Sequence, residues 1–296
     1  MRSTSIRKST LSLLIALPLF AGTAGCEQPP AANPDDATPA AAEAAPEVAD
    51  ADAPAADAAQ TPTEGAEPQV AQTDLPTAEI MFAGNVDAVG GKAKIDLIKT
   101  FYREDNMEVV GQGIKINNKL WWSNGDYYSE ASMPGMGLTR IWKVGENMWS
   151  EDPINGLRKI EGKEAQQQLR ANELVITATW KDHFAKAETK ARRVVDGKPA
   201  IDVVLTTTDG DETVMTFDEE SKLLVESSFV QDSPMGKFPT KALSQDYKEF
   251  DGFKVSTKST MQMAATEIVG TMVEFKPNAK IEKGKISLPD AAKGKK

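Results

Sequence analysis

Asn-Gly and Asp-Gly pairs recur along this 296-residue sequence and restrict its fold more than any other feature. Both residues of such a pair accept the positive φ angles that a tight β-hairpin turn requires. Around one pair, the β-branched runs Ile201–Thr207 and Glu212–Phe217 flank the turn as two strands would. Because short connections allow only antiparallel pairing, the pattern predicts an antiparallel meander. The pairs are Asn124-Gly125, Asn155-Gly156, Asp196-Gly197, Asp209-Gly210 and Asp251-Gly252.

The predicted meander has about ten or eleven strands and is interrupted once by a helical segment. Each candidate strand is a short run enriched in β-branched, aromatic or other apolar residues. A twisted sheet of this many strands tends to curl, which favours a half-barrel. The candidate strands are Met107–Ile116, Trp121–Ser129, Thr139–Val144, Met148–Ser150, Ala187–Val195, Ile201–Thr207, Glu212–Phe217, Leu223–Val230, Thr240–Phe250, Phe253–Met263 and Thr266–Phe275.

Helices are predicted before the meander and inside its interruption. Thr77–Gly91 has an apolar helical face and ends at two glycines, and a short helical turn at Ala93–Leu97 follows. In the interruption we expect a helix at Glu164–Ala171, whereas Glu173–Phe184 fits a helix or a strand and we favour the helix. Two or three helices can cover only one face of such a sheet. We therefore expect a mainly β (α+β) fold, a half-barrel capped on its concave apolar face.

The first 26 residues have the parts of an export signal. A positively charged start precedes the apolar run Leu11–Phe20, which is too short to span a bilayer as a helix. Ala24 and Gly25 precede Cys26, and this end resembles the lipobox of bacterial lipoproteins, in which the cysteine is lipidated and becomes the mature N-terminus. The alternative is an ordinary secretory signal cleaved near Ala24. Cys26 is the only cysteine, so it has no disulfide partner within the chain.

Acylation of Cys26 would anchor the protein to a membrane without a transmembrane helix, since each buried CH₂ contributes about 0.8 kcal/mol. In enteric lipoproteins, which this N-terminus resembles, Asp after the cysteine is associated with retention in the inner membrane. Glu27 stands at that position here and favours the outer membrane, although inner-membrane anchoring stays open. We expect a periplasm-facing protein of the bacterial envelope.

Residues 27–76 have the composition of a disordered tether. They contain 17 Ala, 9 Pro and 11 acidic residues but no Lys or Arg, and too few large apolar residues to offset the entropy of ordering. Removing the −11 of this segment and the +3 of residues 1–26 from the whole-chain charge of −10 leaves −2 for residues 77–296. The folded part is nearly neutral and carries only a short basic tail at 291–296. A nucleic-acid partner is therefore not expected.

Several segments within residues 77–290 together resemble the outer-membrane lipoprotein-sorting (LolA/LolB-like) family. The first helix ends in Gly90-Gly91, and the turn Asp152–Gly156 precedes the helical insertion. The second meander contains Phe217–Ser221 and the turn Asp246–Gly252. The resemblance implies a half-barrel closed by helices, with an apolar interior that holds acyl chains.

Methionines are concentrated in the predicted β region, where their flexible side chains suit a surface that accepts variable apolar shapes. Plain core packing is the alternative for each of them. Met261 and Met263 share one strand face, as do Ile268 and Met272 on the next strand. The residues expected to line a ligand cavity are Met107, Val109, Met215, Met261, Met263, Ile268 and Met272. The turn Ser132–Leu138 is either an exposed apolar loop or folded against the barrel mouth; its apolar residues are Met133, Met136 and Leu138.

Groups suited to catalysis are scarce. His183 is the only histidine, which excludes a cluster of several histidines around a metal, and a lipidated Cys26 leaves no thiol nucleophile. Asp218, Glu219 and Glu220 fall in a predicted turn, where carboxylates are usually solvated. We therefore expect no catalytic residue, metal site or cofactor.

The leading hypothesis is a lipid-anchored, periplasm-facing carrier or binding protein for an apolar ligand, either a lipid or a lipoprotein acyl chain. Two alternatives remain. One is a structural or scaffold lipoprotein of the envelope whose sheet interior is a filled core. The other is a hydrolase of envelope polymers, which would have to use His183 or a pair of carboxylates placed across a cleft.

Overall fold

The computed structural model describes residues 74–233 and 236–293. The predicted signal peptide with Cys26, residues 27–73 of the predicted tether and residues 294–296 of the predicted tail lie outside the described residues. Within the described part, no helix combines the length and the apolar character that crossing a membrane would need.

A single antiparallel sheet of thirteen strands forms the body of the domain. The strands are β1 (Thr100–Val109), β2 (Ile114–Ser123), β3 (Asp126–Met133), β4 (Gly137–Val144), β5 (Asn147–Asp152), β6 (Gly156–Lys159), β7 (Lys186–Val195), β8 (Lys198–Thr206), β9 (Glu212–Asp218), β10 (Leu224–Ser233), β11 (Gly236–Phe250), β12 (Phe253–Met263) and β13 (Thr266–Pro277). Across the sheet the order runs from β6 back to β1, then from β13 back to β7. The sheet therefore consists of two meanders that are joined where the first and last strands pair.

Three of the five Asn-Gly and Asp-Gly pairs form the expected two-residue hairpin turns. Asn124-Gly125, Asp196-Gly197 and Asp251-Gly252 have positive φ at both residues, with Asn124 at 48° and Gly125 at 91°, for example. They connect β2 to β3, β7 to β8 and β11 to β12. In Asn155-Gly156 and Asp209-Gly210 only the glycine has positive φ, so these two pairs do not form a turn of this type.

Four α-helices lie on one face of the sheet, which we call the inner face: α1 (Ala78–Ala88), α2 (Gly91–Leu97), α3 (Gly162–Ala171) and α4 (Ile176–Thr179). The hydroxyl of Thr77 caps α1 by accepting a 3.4 Å hydrogen bond from the Ile80 amide. Between α1 and α2, Gly90 has φ of 132°, and a Cβ there would lie 2.4 Å from the Gly252 carbonyl oxygen. Only glycine therefore fits where the helices meet the β11–β12 turn.

The inner face carries two apolar clusters. The first spans the centre of the sheet and the first meander, where Phe101 and Trp122 stack with ring centroids 5.3 Å apart. Helices α2 and α3 pack against this cluster. The second cluster lies over β8 and β9, and α1 and α4 contribute Phe82 and Ile176 to it. The interior of the half-barrel is thus filled largely by helices and side chains.

On the opposite, outer face an aromatic row crosses the first meander. Tyr102, Trp121, Tyr128, Trp142 and Trp149 occupy facing positions on β1 to β5. The segment after β13 covers this row with half-buried apolar side chains of residues 286 and 288, and residue 292 is 2% exposed. Cross-strand aromatic pairs of this kind stabilise a sheet beyond their buried area.

The structure confirms the expected mainly β half-barrel with helices on its inner face, and it contains more strands than the ten or eleven that we expected. The segments predicted as Met107–Ile116 and Trp121–Ser129 each contain a turn, so β1, β2 and β3 stand where two strands were placed. The four-residue edge strand β6 was not predicted. Helix α4 and the following helical turn Trp180–Asp182 agree with the preference for helix in this region.

Candidate functional site

A cavity of about 90 Å³ lies between the inner face of the sheet and helices α1 and α4. Four of the seven residues that we expected to line a ligand cavity meet here: Met107 of β1, Met215 of β9, Met261 of β12 and Ile268 of β13. They come from both meanders, and the pairing of β1 with β13 brings them together. The lining of this cavity is apolar for most of its area, as an apolar ligand would require.

The other three predicted lining residues belong to the packed interior. Val109 and Met263 are each 7% exposed, and neither lines the cavity. Met272 is partly buried and packs against the first apolar cluster. These three residues therefore contribute to the packing of the sheet and not to the lining of the cavity.

A second cavity of about 90 Å³ lies between α3 and strands β9 and β10. Met215 and Ile176 line both cavities, so these two side chains form the wall that separates them. A methionine has three rotatable side-chain bonds and adapts to its surroundings. The wall between the two cavities is therefore partly built from a side chain that can change its shape.

An open groove of about 580 Å³ lies on the outer face of the sheet, where Asn106 and Glu108 alternate with the inward-facing Met107. The groove is lined by residues of β1, β2 and β13 and by Ser132 and Pro134 of the predicted apolar loop. In that loop Met133 is 4% exposed, and Met136 and Leu138 are half-buried. The sheet itself separates this groove from the two cavities on the inner face.

An ion pair is buried in the wall of the first cavity, and the sequence analysis missed it. The Nε of Arg103 donates a 2.7 Å hydrogen bond to Oδ2 of Asp105, and the side chains are 6% and 2% exposed. Both residues lie on β1 between Phe101 and Met107, at alternate positions that face inward. That alternation is the signal that could have placed a charged pair on the apolar face.

A second polar group lies close to this ion pair. The hydroxyl of Tyr247, which also lines the cavity, donates a 2.8 Å hydrogen bond to the Leu224 carbonyl oxygen. Burial raises the pKa of Tyr247 above its usual range, although Ser244 and the positive charge of Arg103 act in the opposite direction. The tyrosine is therefore a neutral hydrogen-bonding group at physiological pH.

Helix α1 is fastened over the cavity by the side chain of Asn85, which is 5% exposed. Its Nδ2 donates a 2.9 Å hydrogen bond to the Lys222 carbonyl oxygen, and its Oδ1 accepts a 2.8 Å hydrogen bond from the Thr177 hydroxyl of α4. We call this pair of hydrogen bonds the Asn85 clasp. It ties α1 to the β9–β10 turn and to α4, and Asn85 itself lines the cavity.

The side chains considered for catalysis are engaged in local contacts. His183 Nε2 lies 3.3 Å from Glu173 Oε1, and both side chains are largely buried. Asp218 accepts hydrogen bonds from the amide and hydroxyl of Ser221, which lower the pKa of its carboxyl although burial opposes this shift. Glu219 makes a two-point contact with Arg192. Among the described residues, no three His, Cys, Asp or Glu side chains are grouped closely enough to hold a metal ion.

Comparison with known proteins identifies the fold. No protein-family model and no curated protein sequence matches the chain. Among solved structures, it is similar to a DUF1329 family protein from Desulfovibrio piger, with 12% sequence identity, a TM-score of 0.51, and coverage of 71% of this chain and 97% of that chain. A LolA superfamily protein from Nitrosomonas europaea matches at 13% identity with a TM-score of 0.48, covering 74% of this chain and 97% of that chain. The strand order, the helices on the inner face and the likeness to the Desulfovibrio protein show that the chain has the expected LolA-like half-barrel fold.

Proposed function

We propose that this protein is a lipid-anchored carrier or binding protein of the bacterial envelope that holds an apolar ligand, a lipid or a lipoprotein acyl chain, between the sheet and its helices. The observation that carries the proposal is the pair of neighbouring cavities between the sheet and its helices, with Met215 at their boundary. The protein is not an enzyme in this proposal. Acylated Cys26 and the acidic segment 27–76 would hold the domain at the periplasmic face of the outer membrane.

Each cavity alone is too small for an acyl chain, since ligand pockets usually measure about 300–1,000 Å³. Rotation of Met215 would join the two cavities to each other, and a methionine side chain allows this at little cost. Further space requires α1 to move away from the sheet, which opens the Asn85 clasp. Each CH₂ buried along this path would contribute about 0.8 kcal/mol, less the costs of association.

Uptake of a fluorescent fatty-chain probe tests the proposal. The full mature chain would carry Cys26→Ser, so that its own acyl chains cannot compete for the cavity. We expect saturable probe binding that unlabelled lipids displace, and lipid that co-purifies in native mass spectrometry. Absence of both co-purifying lipid and probe uptake would refute a carrier function.

The small size of the cavities also favours a second candidate, a structural lipoprotein whose interior is a filled core. Met215→Ala separates the two, because Met215 is 2% exposed and stands between the cavities. Truncating a buried methionine to alanine costs about 2–5 kcal/mol of stability in either case. Beyond this shared loss of stability, a carrier with Met215→Ala would have a larger cavity and bind long-chain probes more tightly, whereas a filled scaffold would bind no probe.

A further inference from the structure

The buried pair Arg103–Asp105 has no role in holding a purely apolar ligand. Removing two charges from water is costly, and apolar residues of similar volume often stabilise a protein as well or better. The pair is nevertheless almost completely shielded from solvent, in the wall of the first cavity and at the centre of the sheet. Its position indicates that Arg103 contacts a bound ligand inside the cavity.

Arg103 has hydrogen-bonding capacity to spare. A guanidinium carries five N–H donors, and Asp105 takes the one on Nε. Within residues 74–233 and 236–293, the structure shows no hydrogen bond from the two terminal nitrogens of Arg103. Because Arg103 lines the cavity, these donors are available to an acceptor that enters it.

The charge balance indicates which acceptor fits. Asp105 already neutralises Arg103, so a bound carboxylate or phosphate would place two negative charges beside one positive charge in a site of low dielectric. Lys254 is the other charged residue that lines the cavity, and it is exposed to solvent, which screens its charge. A carbonyl oxygen accepts the same hydrogen bonds without adding charge.

We infer that Arg103 makes the cavity selective for an acyl ester, whose uncharged carbonyl oxygen accepts hydrogen bonds from the guanidinium while the chain occupies the Met-lined space. This inference rests on the proposed carrier function and adds the chemistry of the ligand. Asp105 is a positioning residue: it holds the guanidinium by Nε and sets the net charge that the ligand meets.

A pair of ligands that differ only in the carbonyl tests the inference. A monoacylglycerol and the alkylglycerol ether of the same chain length would compete for a fluorescent fatty-chain probe on the full mature chain with Cys26→Ser. A hydrogen bond to a charged donor is worth about 1.5 kcal/mol or more, so the ester should bind about tenfold more tightly than the ether. Equal affinity of the two ligands for the unchanged pocket would overturn the inference and leave the carrier function standing. Binding of neither would overturn the carrier function itself.

Two variants assign the preference to Arg103. In the double variant Arg103→Met with Asp105→Leu, which removes both charges and leaves no unpaired ion, ester and ether should bind equally. Asp105→Asn leaves the arginine without its counter-charge, so a fatty acid carboxylate should replace the ester as the preferred ligand. A purely structural ion pair would change stability in these variants but not the order of ligand affinities, and that result would contradict the inference.

Discussion

The Asn85 clasp is the contact whose removal should connect stability to ligand uptake most directly. Asn85→Ala deletes both hydrogen bonds of the clasp, each worth about 1 kcal/mol net, and leaves a buried hydroxyl at Thr177 and the Lys222 carbonyl without their partner. With that desolvation cost included, we expect a loss of about 2–4 kcal/mol in the free energy of unfolding. For a domain of this size, each kcal/mol lowers Tm by about 2–4 °C.

The functional consequence follows from where the clasp lies. Once α1 is no longer tied to α4, it should leave the sheet more often, so that a fatty-chain probe enters faster in stopped-flow measurements. Asn85 itself lines the cavity, whereas Thr177 does not. Thr177→Val therefore serves as the matched variant, because it breaks one hydrogen bond of the clasp without enlarging the cavity, and it should give a smaller increase in the same direction.

Two results would refute the reasoning. If Asn85→Ala changed the free energy of unfolding by less than about 0.5 kcal/mol, the clasp would not hold α1. If both variants were destabilised and still took up the probe at the original rate, α1 would not control access to the cavity.

Three further predictions concern other parts of the domain. Gly90→Ala should cost several times more stability in chemical denaturation than Gly91→Ala. Both residues have positive φ, but a Cβ on Gly90 would meet the neighbouring turn, whereas one on Gly91 would meet nothing within 4 Å. Equal costs would contradict the close packing at Gly90. Burial raises the pKa of all four tyrosines, so the folded state keeps protons that the unfolded chain loses near pH 10, and stability should fall as pH rises above that value. Absorbance of phenolate should therefore appear only together with unfolding, and a midpoint near pH 10 in the folded protein would disprove this. Replacing Ile286 and Leu288 together by Ser should loosen the segment over the aromatic row and shift tryptophan emission to longer wavelength, and an unchanged spectrum would show that the segment does not shield the row.

The hairpins of this fold were predictable because their information is local. Asn124-Gly125, Asp196-Gly197 and Asp251-Gly252 each carry their turn geometry in two residues. The turn at 110–113 escaped prediction because its glycines, Gly111 and Gly113, do not follow Asn or Asp. The pairing of β1 with β13 could not be read from any local pattern, since it depends on contacts between the two ends of the domain.

The candidate site, too, could be predicted from the sequence only in part. Alternation along single strands was enough to group Met261 with Met263 and Ile268 with Met272, whereas Met107 and Met215 were chosen only as methionines of the predicted β region. Which of the inward residues line a cavity, and which pack under a helix, depends on where the helices lie across the sheet. Arg103 was missed for a simpler reason: the predicted strand began at Met107, after the polar stretch that contains it.

The pairing of the first strand with the last has a consequence for the synthesis of the protein. Every hairpin within a meander can form as soon as its two strands have been made, but β1 must wait for β13, and closing so long a loop is slow. Until then β1 is an uncovered edge with the apolar wall of the cavity beside it, which is a hazard for aggregation. The cavity wall that contains Arg103 can therefore be completed only after the last strand of the domain has been synthesised.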